Sequence, residues 1–383
     1  MRVLVLDTYY PPFLREHYAA RPGLDAAPYR AQLESLIARS FGTSDAYSHN
    51  LRLLGHEAEE LVVNCFPLQS RWAAENGLRR PPPALWPVLE RAGRFATRLP
   101  WVGDAMHRIL AAQVEAFEPD VVYVQDMRFH TTAQIRELRG RGRLVVGQIA
   151  SAAPPAEHVR AFDLVLTSFP HFVARFRAAG VRSEYLRLGF DERVLDRLGE
   201  RDSLPASDVA FVGGLDPGVH GAGVALLERL CGELGESVAV YGYGASALSK
   251  GSPILDCYRG EAWGLDMYRA FAGARVVLNR HISVAEGHAN NMRLYEATGV
   301  GAALLTDGGV NLAELFEPER EVATYAGAHD APARARALLD DETERSAIAA
   351  AGQARTLGEH TMAHRMAELA GLLDESLALR GAA

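Results

Sequence analysis

Short β-branched runs alternate with helical patterns along most of this chain, stop once, and then resume. In the first half the runs are "RVLVLD" (Arg2 to Asp7), "EAEELVVN" (Glu57 to Asn64), "PDVVYVQD" (Pro119 to Asp126), "GRLVVGQIA" (Gly142 to Ala150), "FDLVLTS" (Phe162 to Ser168) and "EYLRLGF" (Glu184 to Phe190). Runs apolar on both faces, joined by helical stretches such as "AQIRELRGRG", predict a parallel sheet covered by helices, an α/β doubly wound domain. The stretch "DERVLDRLGERDSLPASD" interrupts the pattern with charge and Pro205, and the alternation then restarts at "DVAFVGG". Two Rossmann-like domains are therefore expected, over 1–190 and 208–365, with a linker at 191–207 and a helical tail from about 330. A last helix is expected over 366–383, with a return to the first domain open to it. The segment "RRPPPALWPVLERAGRFATRLPW" lies in an expected helical insert at about 66–115.

Composition narrows the function. A length of 383 residues exceeds one ordinary core. A formal charge of -8 argues against a general nucleic-acid binder, which needs clustered positive charge. Arginine far outnumbers lysine, so a local basic site would be a forked phosphate clamp. Cys65, Cys231 and Cys257 are widely separated, without the spacing of a zinc site or a disulfide framework. No apolar run reaches membrane-spanning length, and "MRVLVLDTYYPPF" reads as a first strand, which makes the cytoplasm the expected compartment. The arginine and tryptophan insert reads as a solvated lid, with weak peripheral contact to a membrane as the other reading.

Ligands of open α/β sheets bind outside the carboxyl ends of the strands, where helix N-termini point free N–H groups at the crevice. Gly213 and Gly214 in "FVGGLDPGVHG" lie between a strand and a helix, where glycine lets backbone approach an anion. A packed turn is the competing reading. Tyr243 in "YGYG" occupies a similar turn, placed either to stack on a base or to pack. In "HANNMRLYEATGVGAALLTDGG", a helix starting near Asn290 would be capped by that residue, with Arg293 and Glu296 following on one side. A carboxylate suits a ribose diol, and an arginine fork suits a diphosphate. The plain alternative is a surface ion pair between Arg293 and Glu296.

"FGTSDAYSHNLRLLGHE" places Ser44, Asp45 and His49 at a helix start. Asp45 or His49 suits a general base, and each suits a cap or a solvated side chain equally well. Asp126 and His130 follow the strand ending in "YVQD" and share that ambiguity. His281, closing "VLNRH", is placed for a donor sugar or for loop packing. Asp45, His49 and His281 are the candidate catalytic side chains.

The stretch "HISVAEGHANNMRLYEATGVGAALLTDGGVNLAELFEPEREVATYAG", followed by "AIAAAGQARTLGEHTMAHRM", resembles the spore-maturation-type (glycosyl transferases group 1) proteins, similar to glycosyltransferase family 4. The resemblance spans about Asp208 to Glu368 and is looser earlier. It implies the GT-B fold, two Rossmann-like domains facing a central cleft. The implied activity is a hexosyltransferase-type transfer from a nucleoside-diphosphate sugar, bound in the second domain, to an acceptor hydroxyl handled mainly by the first. By position, Glu296 would hold the donor ribose, Asn290, Asn291 and Arg293 would lie by the diphosphate or sugar, and Gly213 and Gly214 would form the phosphate-facing loop. Family 4 members pair two glutamates eight positions apart, whereas Glu286 and Glu296 are ten apart here. The basic residues that often follow the glycine loop are missing, so Arg280, Arg293 or Lys250 must supply the charge. No Asp-x-Asp triplet occurs, which agrees with metal-independent transfer and no cofactor. The resemblance leans toward retention of configuration. The acceptor stays open among glycan, lipid-linked sugar, protein and small molecule. A nucleotide-sugar 2-epimerase and a non-catalytic sugar-nucleotide binder are the rival readings.

Overall fold

The β-branched runs form two separate parallel sheets in the computed structural model, which describes residues 1–80, 82, 100–199 and 207–381. The first sheet contains β1 (Arg2–Asp7), β2 (Glu57–Val62), β3 (Val121–Val124), β4 (Leu144–Ile149), β5 (Leu164–Thr167) and β6 (Ser183–Tyr185), in the order β2-β1-β3-β4-β5-β6. The second contains β7 (Ser207–Val212), β8 (Val238–Tyr241), β9 (Ala274–Asn279), β10 (Ala303–Asp307) and β11 (Ala323–Tyr325), in the order β11-β10-β9-β7-β8. Every neighbouring pair is parallel. Val3, Val5, Val121 and Val122 in one sheet, and Val276, Val277 and Leu304 in the other, are fully buried or nearly so, as strands covered on both faces must be. Strand order reverses between β1 and β3 in the first sheet and between β7 and β9 in the second. Those two reversals are where a crevice opens at the strands' carboxyl ends.

The chain divides into two units. One comprises Met1–Arg187 and Met366–Ala383, the other Leu188–Arg365. The structure differs from the sequence expectation at the linker, because part of 191–207 is core of the second unit. Arg193–Leu198 is a helix, and its Val194 and Leu198 are buried in the same cluster as Phe190, Tyr268 and Phe271. Apolar residues at i and i+4 make one buried stripe even within a highly charged stretch. The run Glu184 to Phe190 also stops being strand at Tyr185. Phe190 instead exchanges backbone hydrogen bonds with His360 and Met362 and packs on Gly299, where a Cβ would come within 2.5 Å of its ring. The described parts of the expected insert are helical, Phe66–Glu75 and Pro100–Phe117, and residues 83–99 lie outside the described residues.

The last helix, Met362–Gly381, contributes its residues from Met366 onward to the first unit. There Arg380 meets the Asp163 carboxylate at 3.1 Å and also donates to the Arg143 carbonyl, and Glu375 pairs with Arg182 at 3.1 Å. The three cysteines are buried and form no disulfide among the described residues. No helix among the described residues is long and apolar enough to cross a membrane.

Candidate functional site

In the second unit the reversal between β7 and β9 brings the glycine turn and the residues after β9 to one end of the sheet. Gly213 and Gly214 follow β7 directly and lead into the helix Pro217–Leu234. Both glycines lie close against neighbouring side chains. A Cβ on Gly213 would fall 2.8 Å from the Phe211 ring, and one on Gly214 2.3 Å from His220 Nε2. The next turn is tighter still, since a Cβ on Gly242 would lie 1.9 Å from the Gly213 carbonyl oxygen. Asp216 caps the helix, accepting from Gly218 N–H at 2.8 Å, and His220 breaks the helical path with φ -119° and ψ 27°. Tyr243 stacks on Trp263 with ring centroids 5.7 Å apart and planes 17° apart, and meets His220 edge-on.

Arg280 follows β9. Its guanidinium lies about a van der Waals contact from where a Cβ on Gly223 would stand, on the first turns of the helix after the glycine turn. Its charge helps to depress the pKa values of His220 and His281, after burial as the larger cause. The main chain of Arg280 is fixed by Asn291, whose Nδ2 donates to the Arg280 carbonyl at 3.2 Å and to Asn279 Oδ1 at 2.7 Å. Asn279 in turn donates to Thr306 Oγ1 at 2.9 Å.

The helix within "HANNMRLYEATGVGAALLTDGG" runs from Arg293 to Gly299, later than the sequence suggested. Its first turn is capped by Asn291, whose Oδ1 accepts from Leu294 N–H at 3.3 Å, and not by Asn290. Asn290 is buried and donates its backbone N–H to His281 Nδ1 at 3.2 Å. His281 therefore presents Nδ1 as an acceptor to Asn290, while Nε2 lies 3.4 Å from Thr306 Oγ1 and 3.7 Å from Asp307. Burial, with Arg280 adding to it, lowers its pKa to about 4, so the ring is neutral near pH 7. Both ring nitrogens are directed into the protein, an arrangement for positioning and not for taking a substrate proton.

Arg293 and Glu296 form an ion pair, but not on the surface. The Glu296 side chain is 6% exposed. Arg293 lies over the Phe271 ring at 4.8 Å, donates to Met267 Sδ at 2.8 Å and donates to the Val212 carbonyl at 3.1 Å. Burial raises the Glu296 pKa, with Arg293 and the Tyr268 hydroxyl pulling it back. The carboxylate is thus engaged within the unit, on the two side chains that the ribose assignment left out of account.

In the first unit the reversal between β1 and β3 gathers carboxylates. Asp7 ends β1, and Asp126 follows β3, accepting from Thr8 Oγ1 at 3.2 Å. Asp45 precedes the helix Ala46–Leu53 without capping it, and His49 lies half-buried one turn on. Glu60 is buried and accepts from Ser48 N–H at 3.0 Å, while its Oε2 has no partner. Desolvation is the main cause that raises Asp7 to about 7, with the Asp126 charge adding to it. Glu60 is raised by burial, then by Asp7 and Asp45. A carboxyl group at a strand's end that titrates near neutrality is a candidate for proton transfer. Asp7 was legible in the sequence as the last residue of "RVLVLD", although only its neighbours show that it is desolvated. Among the described residues, no group of three His, Cys, Asp or Glu side chains is arranged to hold a metal ion.

Comparison with known proteins agrees with this fold. Residues 224–371 match the family model described as glycosyl transferase-like. No curated protein sequence matches the chain. Among solved structures, HepE of Anabaena in complex with UDP-glucose is 13% identical, covers 98% of this chain and 100% of its own, and superposes with a TM-score of 0.59. A glycosyltransferase of Rickettsia africae is 9% identical, covering 98% of each chain with a TM-score of 0.57. The sucrose-phosphate synthase of Thermosynechococcus elongatus is 11% identical, covering 99% of this chain and 100% of its own with a TM-score of 0.57. The fold is therefore GT-B, and residues 224–371 match a glycosyl transferase-like domain.

Proposed function

We propose that the protein moves a sugar from a nucleoside-diphosphate donor, held at the β7–β9 reversal of the second unit, to an acceptor hydroxyl. The observation that carries this reading is Arg280. Its guanidinium stands at the end of β9 beside the first turns of the helix that follows Gly213 and Gly214; among the described residues no carboxylate forms an ion pair with it, although its charge reaches Asp307. An unpaired guanidinium near a helix start suits a diphosphate, whose charge grows as the sugar leaves. In this reading the Gly213–Gly214 backbone approaches the phosphates, and Asn291 holds the Arg280 peptide in place. Tyr243, backed by Trp263, offers a face to the base. His281 and Asn290 orient the loop between β9 and the Arg293–Gly299 helix.

Glu296 acts on the donor through Arg293: it steadies the guanidinium that grips Val212, the residue before the glycine turn. A direct grip on the ribose requires its carboxylate to leave Arg293. Asp7, with Asp126 beside it, is the candidate to receive the acceptor's proton in the first unit. Metal-independent transfer rests on the missing Asp-x-Asp triplet and on Arg280, and retention of configuration rests on the resemblance alone. That HepE was solved with UDP and with UDP-glucose supports a nucleotide sugar as the donor class.

The test is a thermal-shift series with UDP, GDP, dTDP and CDP on the full chain, followed by an assay of diphosphate release from the matching sugar nucleotide. Stabilisation by one nucleotide and release that rises with added acceptor are expected. No stabilisation by any of the four ends the reading.

A further inference from the structure

The first unit contains a cavity of about 630 Å³, bordered by the helices Pro100–Phe117 and Thr132–Leu138 and by the loop after β3. Its inner wall is apolar, with Val63, Met106 and Leu110 all buried. Set among them is His130, only 7% exposed, whose Nε2 has no hydrogen-bond partner. His107, from the neighbouring helix, approaches Glu137 Oε2 with its Nε2 at 2.7 Å and leaves Nδ1 without a partner. Buried polar atoms are nearly always satisfied, and these two imidazole nitrogens, enclosed in residues of the cavity wall, have no partner among the described residues.

The charges around the opening have one predominant sign. Among the described lining residues, Asp104, Asp126 and Glu137 stand against one guanidinium, that of Arg128, a formal excess of two negative charges, with Glu137 hydrogen-bonded to His107. His130 adds nothing positive, since burial, and after it His107 and His158, lower its pKa to about 3. An anionic ligand, including a phosphate-linked lipid, therefore meets repulsion at the mouth, while an ammonium group meets attraction.

We propose that this cavity binds a small amine with an apolar, hydroxyl-bearing body, seated against His130 and Met106 with its ammonium at the acidic mouth. Resting on the transferase reading above, that molecule is the acceptor. Asp126 supports this link, because it lines the cavity and is also the neighbour of Asp7.

The experiment is calorimetric titration of the full chain, without nucleotide, at pH 7 and low salt. The probes are tyramine and 4-hydroxyphenylacetate, which share a body and differ in the sign of their charge. Tyramine is expected to bind about tenfold tighter or more, as opposite and like charges at one mouth require. The exposed-site double variant D104N/E137Q should erase most of that preference. Equal affinities, a preference for the acid, no binding of either probe, or an unchanged preference in the double variant each overturn the proposal. Nucleotide-dependent stabilisation measured on the same sample keeps the two readings apart. Stabilisation without amine binding removes the cavity proposal alone, and amine binding without stabilisation supports the cavity while removing its role as the acceptor site.

Discussion

Arg293 donates to the main-chain carbonyl of Val212 at 3.1 Å, tying the Arg293–Gly299 helix to the last residue of β7. The bond exists because Glu296 neutralises the guanidinium from below and Phe271 supports its face. Removing the arginine leaves a buried carboxylate unpaired. Arg293→Ala should therefore lower unfolding free energy by roughly 3 kcal/mol, with Arg293→Lys rescuing little of it because an ammonium lacks the fork. Urea denaturation of the three proteins decides this, and equal midpoints would mean that the pair is incidental.

The glycine turn permits a sharper comparison. Gly242→Ala drives a Cβ into the Gly213 carbonyl, a main-chain atom that cannot swing aside, whereas Gly214→Ala presses on the movable His220 ring. Gly242→Ala should cost about 1–3 kcal/mol and weaken nucleotide-dependent stabilisation. Gly214→Ala should cost less, and the order of the two melting temperatures checks it.

His281 gives a pH signature. The unfolded chain takes up a proton on this side chain near 6.5 and the folded chain only near 4. Between those values the unfolded state binds more protons, so this group removes stability as pH falls from about 6.5 to about 4. His281→Asn should be the less stable protein at pH 7.5, having lost its bonded ring, yet its deficit relative to wild type should shrink by pH 4.5. Parallel denaturation curves at the two pH values test this, and a constant deficit contradicts it.

Asp7 and Asp45 are separable by kinetics. Asp7→Asn should reduce turnover about 10²–10⁴-fold while leaving nucleotide-dependent stabilisation intact, since it belongs to the other unit. It should also abolish an acid limb near pH 7 in the rate profile, the value about which Asp7 titrates. Replacing Asp45 should leave that limb in place, because the charge that adds to burial in raising Asp7 is that of Asp126. A limb unmoved in Asp7→Asn would exclude Asp7.

Charge neutralisation by Arg280 predicts that a chelator leaves turnover unchanged while Arg280→Ala lowers it about 10²–10³-fold. A strict requirement for added magnesium or manganese would reverse that assignment.

The strands were legible because residues such as Val121 to Val124 are buried on both faces, and burial of that kind writes a continuous apolar run. The Arg193–Leu198 helix was hidden, since its two buried residues sit among charges that also suit a linker. The spacing of Arg293 and Glu296 announced a pair and could not say whether it was exposed. That depends on Met267, Tyr268 and Phe271, which come from another helix and are joined to the pair only by folding. The same helix begins later than Asn290, whose backbone N–H is held by His281, nine residues earlier, and Asn291 supplies the oxygen that meets its first turn. Asp7 looked like any residue ending a strand, and its titration near neutrality comes from neighbours far away in the sequence.

The second unit is one unbroken stretch of chain, while the first is assembled from two pieces separated by 178 residues, 365 − 188 + 1. In gene-design terms the second unit is an insertion that a single cut at each end can liberate. The other half needs a splice joining Arg187 to Met366, for a stop codon after Arg365 would strip it of the helix bearing Glu375 and Arg380 and leave Arg182 and Asp163 without those partners.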